Sequence, residues 1–314
     1  MAPKRPIRYI TTIVSDISDS AGVRLLSLRD PDGWELPPAT PGSHIDLYLH
    51  NNLTRAYSLC GDPENQHQYQ VAVKIDHQGR GGSKYIHNEL QVGDFIDVSL
   101  PRNTFPLIRD GQKYVLVAGG IGVTPFIAMM YQFDRLRISY QLHLFYRDVP
   151  PLQSTLAQLG RYGQIVLHDR ANACKTIPML LPDPHEDTYA LCCGPLRMMG
   201  DFDDAVQHWD SANVSKEFFV PPERPPLVNA YSLVLKKSGK TVAVPVGTTA
   251  LEALEQAGVA VQSSCLGGVC GACKVEWLEG EPIHNDLCLS PADRRNQFMT
   301  CVGGCNSETL VLNL

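Results

Sequence analysis

Cys265, Cys270 and Cys273 share one loop, and Cys301 stands alone further on. The spacing C-x4-C-x2-C with a distant fourth cysteine lets four thiolates close around a [2Fe–2S] cluster. Gly267, Gly268, Gly271 and Ala272 fill the loop between them. Small residues let backbone N–H groups turn inward to sulfur, where bulky ones would hold the chain away. A cluster of this kind carries one electron at a time. Structural zinc or disulfides are the alternatives, but zinc sites usually show two close pairs, whereas here three cysteines crowd one loop.

Three further stretches could do chemistry. Gly119-Gly120-Ile121-Gly122-Val123-Thr124-Pro125 follows an apolar run, Lys113–Ala118, and precedes a helical pattern. Glycines there admit a ligand to the backbone, and the helix start offers N–H groups to phosphate. Packing alone can also require such a turn. Arg55-Ala56-Tyr57-Ser58 combines a guanidinium for phosphate, a ring to cover another ring, and a hydroxyl. Gly79-Arg80-Gly81-Gly82-Ser83 offers a second phosphate nest. Each of these could equally be a strand or a tight turn. Cys192-Cys193-Gly194-Pro195 ends a strand and starts a helix, at the edge where open parallel sheets bind ligands.

These motifs need scaffolds. Up to residue 107 the chain reads as short strands, Arg8–Val14, Val23–Leu28, His44–Leu49, Arg55–Cys60, Tyr69–Ile75 and Asp94–Leu100, which predicts an antiparallel β-barrel. From 108 to 225 strand and helix alternate, which predicts a parallel sheet covered on both faces. Pro221-Pro222-Glu223-Arg224-Pro225-Pro226 reads as an extended linker. From 226 to 314, strands Tyr231–Lys236, Thr241–Pro245, Cys273–Leu278 and Leu310–Leu312 accompany a helix opened by the capping box Thr249–Glu252. The domains are therefore expected at 1–107, 108–225 and 226–314.

The chain has 314 residues, a net charge of −6 and 44% hydrophobic residues, which suits a globular protein and argues against broad nucleic-acid binding. No apolar run reaches membrane-spanning length. The N-terminus has no secretory pattern, so a cytoplasmic location is expected. Cys60, Cys174, Cys192, Cys193, Cys288 and Cys305 are expected as free, buried thiols.

Taken in order, these motifs, with Ser99-Leu100-Pro101-Arg102-Asn103-Thr104-Phe105-Pro106-Leu107, resemble the phthalate dioxygenase reductase family along essentially the whole chain. These are flavin and iron–sulfur reductases of Rieske-type oxygenases. The resemblance implies the order flavin, nicotinamide, ferredoxin, the last a plant-type α+β domain. It implies FMN, held by Arg55, Ala56, Tyr57 and Ser58, lined by Ala72, Val73 and Lys74, with its phosphate at Gly81, Gly82 and Ser83. It implies a nicotinamide nucleotide across Gly120, Gly122, Thr124 and Pro125, with Cys193 and Gly194 near the reacting ring and Phe219, after Glu217, beside the flavin. Ser215-Lys216 depart from the family's usual His-Phe.

The implied path is NADH to FMN, FMN to the cluster Cys265, Cys270, Cys273 and Cys301, and the cluster to an oxygenase partner. Ser58 and Thr124 are candidates to approach the reacting flavin nitrogen. Phe145-Tyr146-Arg147-Asp148 ends the second strand of the sheet. Arg147 would suit a 2′-phosphate, Asp148 a free ribose hydroxyl; the resemblance favours NADH. A monomer is expected, with Leu266-Gly267-Gly268-Val269 an uncharged face toward the partner. A redox-storage module and a zinc-stabilised binding module are the other classes. The nicotinamide motifs argue against the first, and an absorption spectrum would separate all three.

Overall fold

The computed structural model describes residues 9–49, 53–107, 113–172, 175–223 and 225–314. The chain forms two compact units, one ending at Phe219 and the other spanning Val220–Leu314.

The first unit opens with β1 (Tyr9–Ser20), β2 (Val23–Arg29), β3 (Ser43–Leu49), β4 (Leu53–Ser58) and β5 (Tyr69–Lys74). Helix α1 (Gly82–Asn88), β6 (Phe95–Ser99) and β7 (Arg102–Asn103) follow. They pair in the order β4-β3-β6-β1-β2-β5, antiparallel throughout, with β7 added to β3. A bridge between Leu59 and Val71 nearly closes the barrel. Alternate strand residues fill it, among them Val14, Leu26, Leu28, Ile45, Leu47 and Val98. The stretch after β6 works as a latch. Arg102 pairs with buried Asp46 at 2.8 Å, and Asn103 Nδ2 donates to Thr40 Oγ1 at 2.8 Å and Pro41 O at 2.9 Å.

A parallel sheet follows, made of β8 (Lys113–Gly119), β9 (Ser139–Tyr146), β10 (Gly163–Asp169), β11 (Thr188–Cys193) and β12 (Val214–Glu217). Its order is β10-β9-β8-β11-β12. Helix α2 (Thr124–Leu136) packs on one face through Phe126, Met130 and Phe133, and α4 (Leu196–Ala205) on the other through Met198, Met199 and Phe202; α3 (Gln153–Leu156) is one short turn between β9 and β10. Barrel and sheet share apolar contacts: Val23, Cys60, Ala72 and Phe105 lie in one cluster with α2 and β8. Barrel and parallel sheet thus lie in one compact unit.

The second unit contains β13 (Tyr231–Leu235), β14 (Thr241–Val244), α5 (Ala250–Gln256), β15 (Lys274–Glu279), β16 (Pro282–Ile283), β17 (Gln297–Met299), β18 (Gly304–Cys305) and β19 (Thr309–Leu312). Its sheet runs β14-β13-β19-β15-β17, mixed in direction, with a separate β16-β18 pair. The capping box forms as expected: Thr249 Oγ1 accepts Glu252 N–H, and Glu252 Oε2 accepts Thr249 N–H. Ala250, Ala253 and Leu254 turn the helix onto the sheet. Among the described residues no cysteine forms a disulfide; Cys60, Cys192, Cys193 and Cys305 are buried, Cys288 half-buried, and Cys174 lies outside the described residues.

Candidate functional site: a redox crevice and a thiol-lined loop

Strand β8 sits at the centre of its sheet with β9 on one side and β11 on the other. Successive strands are therefore added on one side of β8 and then on the other, and this switch in strand order opens a crevice at the carboxyl ends of β8 and β11. Gly119 to Pro125 leaves β8 there, and Cys193-Gly194-Pro195 leaves β11. The two loops interlock. A Cβ on Gly122 would lie 2.3 Å from Cys193 O, and one on Gly119 would lie 2.5 Å from Pro195 Cδ. A Cβ on Gly194 would lie 2.6 Å from Met198 Sδ. Gly120 instead faces open space with φ of 54°, where a ligand can approach the backbone. Thr124 Oγ1 donates to Ile121 O at 3.0 Å and closes the turn, with Pro125 in the first turn of α2.

Glu217 lies opposite Cys193 in the β11–β12 register, after Ser215 and Lys216 opposite Leu191 and Cys192. Ser58, from the end of β4, donates to Glu217 Oε2 at 3.3 Å. All three side chains are buried. Burial pushes the Glu217 carboxyl up to about 8, against a smaller opposing effect from the Ser58 hydrogen bond. Burial, with Glu217 beside it, holds the Cys193 thiol well above its ordinary range. Lys216 turns away to Asp203 and to the Phe218 ring, 5.6 Å from its centroid. Phe219 is 39% exposed and ends the unit.

On the barrel, Arg55 Nη1 donates to Thr54 O at 2.8 Å and Nη2 to Arg80 O at 2.6 Å. A Cβ on Gly82 would lie 2.5 Å from Arg55 Cγ, so only glycine leaves room for this arginine. Gly81 has φ of 85°, and Ser83 Oγ accepts Asp76 N–H at 3.0 Å. Burial, then the neighbouring Arg80 charge, lowers the Arg55 guanidinium below its usual value. Two adjacent cations over a glycine turn favour an anion such as a phosphate. Arg80 was part of the quoted glycine stretch, but its type alone did not mark it.

Ala56 and Tyr57 are half-buried, and burial raises the Tyr57 phenol to about 12. Ala72 is buried toward the parallel sheet, whereas the Val73 side chain lies in the barrel core and its carbonyl meets His87 Nε2 at 2.8 Å. Lys74 is exposed. Arg147 and Asp148 are exposed at the end of β9.

In the second unit the four cysteines come together as two pairs, Cys265 with Cys270 and Cys273 with Cys301. Each pair shares a sulfur hydrogen bond that lowers Cys265 and Cys273 and raises their partners. No group of three or more His, Cys, Asp or Glu side chains among the described residues is arranged to hold a single metal ion. A two-and-two division suits a two-iron cluster, with two thiolates for each iron. Backbone N–H groups point at the sulfurs: Gly267 N donates to Cys265 Sγ at 3.3 Å, and Gly268 reaches Cys301. Leu266, Gly268 and Gly271 have φ of 57°, 62° and 72°, which curls the loop around its thiols. A Cβ on Gly268 would lie 2.7 Å from Val302 Cγ2. The donor set and its inward amides fit the cluster.

Barrel, crevice and thiol loop define an oxidoreductase that uses a flavin and a [2Fe–2S] cluster. The family model for the oxidoreductase FAD-binding domain matches residues 11–106, and that for the 2Fe-2S iron–sulfur cluster binding domain matches residues 233–305. The phenoxybenzoate dioxygenase subunit beta of Ectopseudomonas oleovorans is 36% identical over 93% of each chain. The solved phthalate dioxygenase reductase, described as a modular structure for electron transfer from pyridine nucleotides to [2Fe–2S], superimposes with a TM-score of 0.70. It is 31% identical over 98% of each chain. An intact type IV self-sufficient cytochrome P450 monooxygenase superimposes with a TM-score of 0.89 at 35% identity. The match covers all of this chain and 43% of that one.

The chain belongs to the phthalate dioxygenase reductase-like family. It is the reductase component of an oxygenase system, passing electrons from NAD(P)H through a flavin and a [2Fe–2S] cluster. Among the described residues no helix is long and apolar enough to cross a membrane.

Proposed function

We propose that this protein is an NADH-dependent reductase that uses FMN and delivers electrons directly to a Rieske-type oxygenase. Residues 1–107 would hold FMN, 108–225 the nicotinamide nucleotide and 226–314 the cluster. The observation that carries this reading is the meeting of Ser58, Glu217 and Cys193 at the crevice, where barrel and parallel sheet contribute to one buried cluster of side chains. Bound flavin would take two electrons from a nicotinamide and release them singly, which a [2Fe–2S] cluster can accept.

The chain's own residues supply position and protons. Arg55 and Arg80, with Gly81, Gly82 and Ser83, would take the flavin's phosphate, and Tyr57 would cover its ring. A terminal phosphate suits these two cations, which supports FMN. Gly120 and Gly122 would admit the nucleotide to the backbone, with Thr124 and Pro125 fixing the turn. Cys193 and Gly194 would bound the reacting ring. Glu217 holds its proton at neutral pH beside Ser58 Oγ. Phe219 would cover the flavin from the end of the first unit. Cys265, Cys270, Cys273 and Cys301 would ligate the cluster.

Asp148 beside Arg147 supports NADH over NADPH, since a carboxylate repels a 2′-phosphate. That none of the nine described cysteines is in a disulfide supports a reducing, cytoplasmic setting. The fusion of the cluster module to the reductase supports delivery without a separate ferredoxin. A haem monooxygenase partner is the second reading, favoured by the resemblance to the P450 chain.

Purified protein is tested by its absorption spectrum with NADH added, by chromatography of the extracted flavin, and by kcat/KM for NADH and NADPH. Flavin and iron–sulfur bands that bleach, FMN on extraction and a higher kcat/KM with NADH are expected. A colourless zinc protein, mostly FAD, or a preference for NADPH would each overturn its part. Turnover with a purified Rieske oxygenase and with a P450 haem domain separates the two partners.

A further inference from the structure

Residues 284–289 run behind the thiol loop and hold both of its halves. Leu287 N donates to Gly268 O at 3.0 Å, and Asn285 Nδ2 donates to Val302 O, next to Cys301, at 3.2 Å. Asp286 is the centre of this strap and is 2% exposed. Its Cα lies 3.2 Å from the point where a Cβ on Gly268 would fall. Asp286 Oδ2 accepts Leu289 N–H at 2.9 Å and faces Arg294 Nη2 at 3.5 Å. The same Nη2 donates to Asp286 O at 2.7 Å, while Trp277 Nε1 anchors Arg294 through its carbonyl at 3.1 Å.

An asparagine at 286 could tie the strap equally well, because Leu289 N–H needs only a carbonyl-type oxygen. The ion pair is also incompletely used. Asp286 Oδ1 has only His284 Nδ1 near it, at 3.6 Å, beyond ordinary hydrogen-bond length, and Arg294 Nε donates to none of the described residues. Burying charges is unfavourable unless geometry compensates. Hydrogen bonding alone therefore does not account for a carboxylate at this place; its charge does. The charges of Asp286, Cys265 and Cys273 all bear on the Cys288 thiol, so Asp286 lies within electrostatic reach of the thiol loop.

We propose that Asp286 and Arg294 are positioning residues whose opposed charges set the reduction potential of the cluster. The inference rests on the cluster reading of the four cysteines given above. Net charge around such a cluster is a main determinant of its potential. A negative charge behind the loop opposes an added electron, and a positive charge favours it.

The test is a redox titration of purified, cluster-loaded full-length protein, followed by visible absorption and electron paramagnetic resonance. It is run at pH 8, where His284, held below its ordinary range chiefly by burial, is neutral. Asp286→Asn should make reduction about tenfold more favourable, a shift of ~59 mV upward for one electron. Arg294→Gln should shift the potential downward by a comparable amount, and the double variant should return close to the parent.

A merely structural role would loosen the loop in both single variants and move them in the same direction. Shifts of the same sign, or none in either, overturn the proposal. If Asp286→Asn does not retain iron, the sign of the Arg294→Gln shift decides: downward supports the proposal, upward or none refutes it. If neither variant retains iron, the pair is scaffold and the proposal fails. A parent protein with no iron–sulfur signal at all would instead overturn the cluster reading, and this inference with it.

Discussion

Glu217→Gln should abolish a specific pH dependence of stability. The carboxyl is buried in the crevice, and burial raises it from 4.5 to about 8. Between those values the folded chain keeps the proton while the unfolded chain releases it. The unfolded state then binds fewer protons, so stability falls as pH rises, by about 1.4 kcal/mol per pH unit. From pH 5 to pH 8 this amounts to about 4 kcal/mol, and it levels off above the folded value. Glutamine keeps the oxygen that accepts the Ser58 hydroxyl and removes the proton exchange. Urea unfolding of parent and variant at pH 5, 6, 7 and 8, followed by tryptophan fluorescence with flavin content matched, measures the difference. The parent should lose ground against the variant steadily across the series. A difference that stays constant within about 0.5 kcal/mol, or one that moves the other way, would refute a proton held by burial at Glu217.

Other outcomes follow from the same geometry. Gly122→Ala places a methyl 2.3 Å from a backbone oxygen that cannot rotate away; stability should drop by about 1–3 kcal/mol and KM for NADH should rise at least severalfold, read by thermal melts and initial rates. Cys273→Ser should remove the iron–sulfur signal and cytochrome c reduction while ferricyanide reduction continues, since flavin alone can serve it; equal loss of both would count against separable modules. Leu266→Glu should slow electron delivery to the oxygenase and spare ferricyanide turnover, because Leu266 is 51% exposed on the thiol loop; unchanged coupled rates with the cluster intact would put docking elsewhere.

The thiol loop and the two sheet-edge turns were legible because their chemistry is written in adjacent residues. Cysteine spacing, glycines after an apolar strand and a capping box each act over a few positions. The Ser58–Glu217 hydrogen bond spans 159 positions and arises only when β4 and β12 reach the same crevice. No local pattern carries that; the family resemblance placed Ser58 and the Glu217–Phe219 stretch near the flavin but did not pair Ser58 with Glu217. The first strand is expected at Arg8–Val14. Instead β1 runs to Ser20 through a bulge near Val14 and Asp16, with polar residues on its outer side. The shared core of barrel and sheet was hidden for a related reason: Ala72 and Phe105 read as barrel residues, and only the docked α2 reveals their second neighbour. Asp286 lies in irregular chain and Arg294 in a single 3-10 turn, Asp293–Arg295, where neither period nor spacing singles out a buried charge.

The interlocked glycine loops carry a consequence for the protein's history. Gly122 leaves the space that Cys193 O occupies, and Gly119 leaves the space that Pro195 fills. A side chain gained on one loop is therefore tolerated only after the other has withdrawn. Single-step drift at these positions is closed, and descendants of this fold should change them in pairs or keep them.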